Sequence, residues 1–269
     1  MPAWPDVGNA QPGGGGMTSL RINSVAGTHP GLVRRNNEDG FCDRAADGLW
    51  VVADGMGGHA HGDWASGAVV QALQSIAVPT DFDTAAQSVA DAIHSANRRI
   101  WSESQRRGQV MGSTVVALLV QDRRFAILWV GDSRAYLLRG GVLHLLSRDH
   151  TQVQEMVDRG LITQEDARHH PGGHVLARAI GVGARMAVDV VMDEVEPGDL
   201  FLLCSDGLTG KVEDGEIAAI LDSGDAQATL DALIATTLER GAPDNVTAIL
   251  VGVGETTLLA LAGSPGLLP

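Results

Sequence analysis

Cysteine is scarce in this 269-residue chain, with Cys42 and Cys204 the only two. Two thiols give no disulfide framework, so a reducing compartment is expected. Neither is followed by a glycine loop that could cradle a phosphate, which argues against a cysteine nucleophile. Basic residues are also few: 19 Lys plus Arg stand against 33 Asp plus Glu, for a formal charge of −14. No basic stripe is available to displace counterions, which argues against a nucleic-acid partner. One Tyr and four Phe leave no stacking platform for bases. No apolar run approaches the ~20 residues of a membrane span. The N-terminus lacks the basic region and apolar core of a secretory signal. These gaps lead to the expectation of a cytoplasmic protein, unattached to membrane; a monomer is expected, although nothing in the sequence bears on oligomeric state.

What the chain does have is apolar material. Hydrophobic residues make up 44% of it, enough for one large domain or two small ones. Residues 1–19, rich in Gly and Pro, read as a flexible leader, and Met17 competes with Met1 as the true start. Strand-like runs lie near 21–26, up to Asp54, then at 113–121, 124–130, 135–138 and 142–146. Others follow near 188–195, 199–205 and 246–253. Helical stripes pair up at 64–77 with 84–104 and at 214–222 with 226–240, and a short helix is expected at 152–159. The tail, 255–269, has Leu and Ala but too much Gly and Pro for a good helix.

Helices in pairs and strands in blocks do not fit strict βαβ alternation. Strands that are apolar almost throughout need cover on both faces. The arrangement satisfying both is an α/β (α+β) four-layer α-β-β-α sandwich over residues 20–254. Two stacked, mainly antiparallel sheets would be flanked by helix pairs.

Aspartates recur at the ends of these strands. Asp54, Asp132 and Asp206 each lie just beyond an apolar run, and Asp244 just before one. An isolated Asp-Gly is usually only an Asx-type turn. Four such sites on two stacked sheets can instead share one edge, where clustered carboxylates would repel one another and raise each other's pKa values. A hard divalent cation resolves that conflict, and an all-oxygen set selects Mg²⁺ or Mn²⁺ over zinc. Two such ions would generate hydroxide near neutral pH and clamp an in-line displacement at phosphorus. Arg34 is the candidate hook for a phosphate dianion, although a lone arginine is usually a solvated surface charge.

Six short motifs occur in order: Arg34-x-x-x-Glu38-Asp39, Asp54-Gly55-Met56-Gly57-Gly58-His59, Gly112-Ser113-Thr114, Gly131-Asp132-Ser133-Arg134, Ser205-Asp206-Gly207-Leu208 and Asp244-Asn245-Val246-Thr247. Each alone is weak, but the ordered set from about 20 to 253 resembles the metal-dependent (PPM, or type 2C) serine/threonine protein phosphatases in their compact bacterial form. The resemblance implies hydrolysis of phosphoserine and phosphothreonine by direct attack of a hydroxide bridging two metal ions. It implies that Asp54 bridges two Mn²⁺ or Mg²⁺ ions, with the Gly55 carbonyl on one and Asp206 and Asp244 completing the other's shell. Glu38 would act through a water, Asp39 and Asn245 would hold the ligands in place, and Asp132 with Asp206 would take a third ion. Arg34 would bind the substrate phosphate. His59 is the candidate catalytic acid, with His61 as the alternative.

The resemblance also implies phosphorylated proteins as substrates and a serine/threonine protein kinase as a partner. Segment 147–183 would be the family's flap beside the site. Its His169-His170-Pro171-Gly172-Gly173-His174 stretch departs from the polar sequence expected there, and its histidines read as a solvated loop. A non-enzymatic binding module would call for a missing metal aspartate, and all four are present.

Overall fold

In the computed structural model the described residues are 18–57, 61–168, 170–222 and 224–257. Its strands are β1 (Thr18–His29), β2 (Asp39–Arg44), β3 (Leu49–Met56), β4 (Gly112–Ser113), β5 (Val115–Gln121) and β6 (Arg124–Val130). The later strands are β7 (Arg134–Arg139), β8 (Val142–Leu145), β9 (Asp189–Glu194), β10 (Leu200–Cys204) and β11 (Val246–Thr257). One antiparallel sheet has the order β1-β11-β10-β7-β8; the other has β2-β3-β5-β6-β9, with β4 paired to β3. The helices are α1 (Gly62–Gln74), α2 (Phe82–Arg107), α3 (Gln152–Asp158), α4 (Gln164–Arg168), α5 (Asp206–Thr209), α6 (Asp214–Leu221) and α7 (Ala226–Glu239). This is the expected four-layer sandwich.

Side-chain alternation along each strand builds three apolar layers. In β3, Leu49, Val51 and Ala53 join α1 and α2 in one core, while Trp50 and Val52 enter the core between the sheets. In β10, Phe201 and Leu203 face the other sheet, and Leu200, Leu202 and Cys204 face α6 and α7. Phe125 and Phe201 meet edge-on across the sheets with centroids 5.0 Å apart. The long helix α2 is started by Asp81, whose carboxylate accepts from the Thr84 amide, and is stopped by Gly108 in the left-handed conformation. No helix among the described residues is long and apolar enough to cross a membrane.

Four local expectations are corrected. The chain before Asp54 forms two strands, β2 and β3, joined through a 3₁₀ turn at Ala45–Asp47, where the sequence suggested one. The hexapeptide of β2, Asp-Gly-Phe-Cys-Asp-Arg, has only two apolar members and carries little strand signal. The strand bearing Asp54 does not end there but runs on to Met56, pairing Gly55 with Ser113 and Met56 with Gly112. β1 and β11 are longer than their apolar centres because they pair with each other along their whole length, from Thr18↔Thr257 to His29↔Val246. The short α4 inside 147–183 carried no apolar stripe by which to find it.

Candidate active site

The strand alternation that fills the inter-sheet core continues to one rim and there turns polar. Asp54 keeps the phase of Trp50 and Val52, Asp39 that of Phe41, Ser205 that of Leu203, and Thr247 that of Ile249. Hydrogen bonds join these ends. The Ser205 hydroxyl donates to Asp39 Oδ2 at 2.8 Å, bridging the two sheets, and accepts the Thr247 amide at 3.0 Å. Asp39 lies opposite Asp54 in the β2–β3 ladder.

The main chain around Asp54 is held from both sides. Its amide donates to Thr114 Oγ1 at 3.0 Å, and its carbonyl accepts from the Thr114 amide at 2.8 Å and the Ser113 hydroxyl at 3.0 Å. Thr114 in turn shares a 2.7 Å hydroxyl contact with Ser133, next to Asp132. Gly55 is required by close approach, since a Cβ there would lie 2.0 Å from the Gly62 carbonyl oxygen. The positive φ of this glycine-rich stretch falls two residues later, at Gly57.

Glu38 and Asp244 are brought in by loops. The Glu38 amide donates to Asn245 Oδ1 at 2.8 Å, and its carbonyl accepts from the Gly55 amide and the Ser66 hydroxyl. Asn245 also donates to the Pro30 and Asn36 carbonyls, so it ties the Arg34 loop to the start of β11. Gly31, at φ +76°, packs so closely that a Cβ would lie 2.1 Å from the Asp244 carbonyl oxygen. That packing sets Arg34 beside Asp244, and its guanidinium bonds Asp244 Oδ2 at 2.7 Å.

The electrostatics record the crowding. Desolvation, reinforced by repulsion from Asp39, Asp206, Asp132 and Asp244, holds the Asp54 carboxyl well above the usual range. Desolvation and the negative charges of Asp206 and Asp149 push Asp132, only 7% exposed, up to about 8. Asp39 rises to about 7, chiefly from desolvation, despite the hydroxyls beside it. Its Oδ1 is buried without a hydrogen-bond partner. The bond to Asp244 raises the Arg34 pKa further.

Among the described residues no three His, Cys, Asp or Glu side chains stand already gathered at ligand spacing. Asp244 is engaged by Arg34, and Asp206 Oδ2 lies 3.6 Å from His174 Nδ1. The donor chemistry nevertheless suits hard cations: carboxylates and carbonyls, an orphaned carboxylate oxygen, and mutual repulsion that a divalent charge would remove.

Of the residues singled out in the sequence, Arg34, Glu38, Asp39, Asp54, Gly55, Asp132, Asp206, Asp244 and Asn245 all belong to this rim. His59 lies outside the described residues. His174, read as part of a solvated loop, is indeed largely exposed but reaches Asp206. Thr114, Ser133 and Ser205 stand in the quoted motifs, but their bonds around the carboxylates were not legible there, because a buried hydroxyl has no distinctive spacing. Segment 147–183 is pinned at both ends: the His150 amide donates to the Gly131 carbonyl, and Ser113 forms a bridge with Ile180.

A family model described as protein phosphatase 2C matches residues 34–251. The chain belongs to the protein phosphatase 2C family. The serine/threonine protein phosphatase PstP of Mycobacterium tuberculosis is 36% identical over 237 residues, covering 87% of this chain and 46% of that protein. The chain thus spans about half the length of this curated relative. Among solved structures, PppA, a key regulatory component of T6SS in Pseudomonas aeruginosa, is similar with a TM-score of 0.82 and 41% identity. That match covers 88% of this chain and 99% of PppA. The catalytic domain of PstP in complex with two manganese ions gives 0.78 and 34%, over 88% of this chain and all of that one. Phosphatase 2C membership thus agrees with the fold, and the rim lies inside the matched span.

Proposed function

We propose that the protein is a metal-dependent phosphatase that hydrolyses phosphoserine and phosphothreonine in proteins. The observation that carries this reading is one rim where Asp39, Asp206, Asp132 and Asp244 all act on the buried Asp54 carboxyl, with Arg34 bonded to Asp244. Asp54 and the Gly55 carbonyl would hold two Mn²⁺ or Mg²⁺ ions together with Asp206 and Asp244. Glu38 would contribute through water, and Asp132 with Asp206 would take a third ion. When bound, the ions supply hydroxide near neutral pH for direct attack at phosphorus and neutralise charge on the phosphoryl group.

The chain's own groups do the rest. Arg34, bonded to Asp244 in the free protein, would exchange that bond for two hydrogen bonds to the phosphate dianion. Asp39, tied to Ser205, and Asn245, tied to three loop positions, keep the ligands in place. His59 is the proposed donor of a proton to the departing serine or threonine oxygen, with His61 as alternative. No cysteine is suited to form a phosphoenzyme: Cys42 and Cys204 are buried, and burial pushes the Cys204 thiol up to about 12. We take residues 20–254 as the catalytic unit, phosphoproteins as its substrates, and a serine/threonine kinase as the partner that generates them.

Phosphate release from a phosphothreonine peptide tests the reading. Release is expected with Mn²⁺ and should stop in excess EDTA; undiminished release in EDTA would overturn the metal mechanism.

A further inference from the structure

In a chain where acidic residues outnumber basic ones 33 to 19, the last ten residues of α2 are an exception. They contain Arg98, Arg99, Arg106 and Arg107 against the single acid Glu103. Helix-dipole complementarity accounts for Arg106 and Arg107 in the final turn. It does not account for Arg99, a further two turns back, whose guanidinium lies 5.5 Å from the Trp64 ring centroid. Arg107 reaches the same ring at 5.7 Å. Glu103 bonds both Arg106 and Arg107 at 2.5 Å, and Arg99 donates to Gln71. These guanidinium groups are exposed yet held in place. With Asp63 and Glu103 counted, the patch remains net positive.

The patch adjoins the acidic rim. Trp64 is two residues from Gly62, whose carbonyl packs on Gly55. Beyond α2 the chain exposes Val110 at 72% and then pairs Gly112 with Met56 at the end of β3. The 46% exposed Val182 lies over Gly112. A strip of fixed guanidinium groups and exposed apolar side chains therefore leads away from the site.

We propose that this strip, formed by Trp64, Arg99, Arg106, Arg107, Val110 and Val182, docks the peptide flanking the phosphoresidue and selects acidic segments. The occupant follows from charge complementarity: a negatively charged peptide is otherwise repelled by this protein and is attracted here. Stacking on Trp64 limits the side-chain freedom lost on binding. The inference rests on the phosphatase reading and names a substrate class for it.

The test compares two phosphothreonine peptides of one length, flanked by Asp and Glu or by Lys, with p-nitrophenyl phosphate as a substrate lacking a flank. With Mn²⁺ the acidic peptide should show a KM about fivefold or more below the basic one, with similar kcat, and the gap should shrink at high salt. Arg99→Glu/Arg107→Glu should reverse the order while p-nitrophenyl phosphate hydrolysis is unchanged. Arg99→Gln/Arg107→Gln, which keeps polar stems over Trp64, should abolish the preference. Equal KM values in the unmodified protein, or a preference surviving both double variants, would overturn the docking surface alone. Failure of the unmodified protein to hydrolyse any of the three substrates would overturn the phosphatase reading and this inference together.

Discussion

At the scale of single residues, the site is a set of carboxylates that the fold holds closer than they tolerate when all are charged. Asp39 and Asp132 have folded-state pKa values raised to about 7 and about 8. Between an unfolded value of ~4 and these values, the folded chain binds more protons than the unfolded one. Stability conferred at low pH is therefore lost as pH rises through this window. Denaturant melts of metal-free protein should show unfolding free energy falling between about pH 4.5 and 8 by on the order of a few kcal/mol. A rise over that range would contradict the crowding. Asp54→Asn removes one contributor to the repulsion, so it should raise the thermal midpoint of the metal-free protein while abolishing turnover. Arg34→Ala should chiefly raise KM for phosphopeptides, and an unchanged KM would remove Arg34 from the site.

At the scale of elements, the rim exists because alternation in four strands keeps phase past the end of the apolar core. That logic was legible in part. The apolar runs at 49–53, 124–130 and 200–204, each with an aspartate just beyond, gave the strands and the acids together. β2 was not legible, because its burial comes from pairing with β3 and packing under α1 rather than from its own pattern. The packing need for Gly55 was not legible, because it is set by the approach of Gly62, a contact no local window contains. Gly55→Ala should therefore displace α1 from the end of β3. The cost expected is about 2 kcal/mol or more, with activity lost, and a melt within 0.5 kcal/mol of the parent would refute the contact. The hydrogen bonds of Ser205 and Thr114 could not be read for a related reason: their partners lie 166 and 19 residues away.

At the scale of the whole molecule, two sheets and two helical layers fix the site by converging on it, so the proposed cation binding would be linked to stability. Divalent ions that bind only the folded state should stabilise it, by about 2.7 kcal/mol at a hundredfold excess over Kd. Mn²⁺ should raise the thermal midpoint of the parent and not that of Asp206→Asn. An equal rise in both would place the ion elsewhere. The most direct measurement is anomalous diffraction at the manganese edge from crystals grown with Mn²⁺. Two strong peaks sharing the Asp54 carboxylate, with Asp206 and Asp244 on one of them, are the predicted result. Crystals of the folded, Mn²⁺-saturated protein with no peak at Asp54 would contradict it.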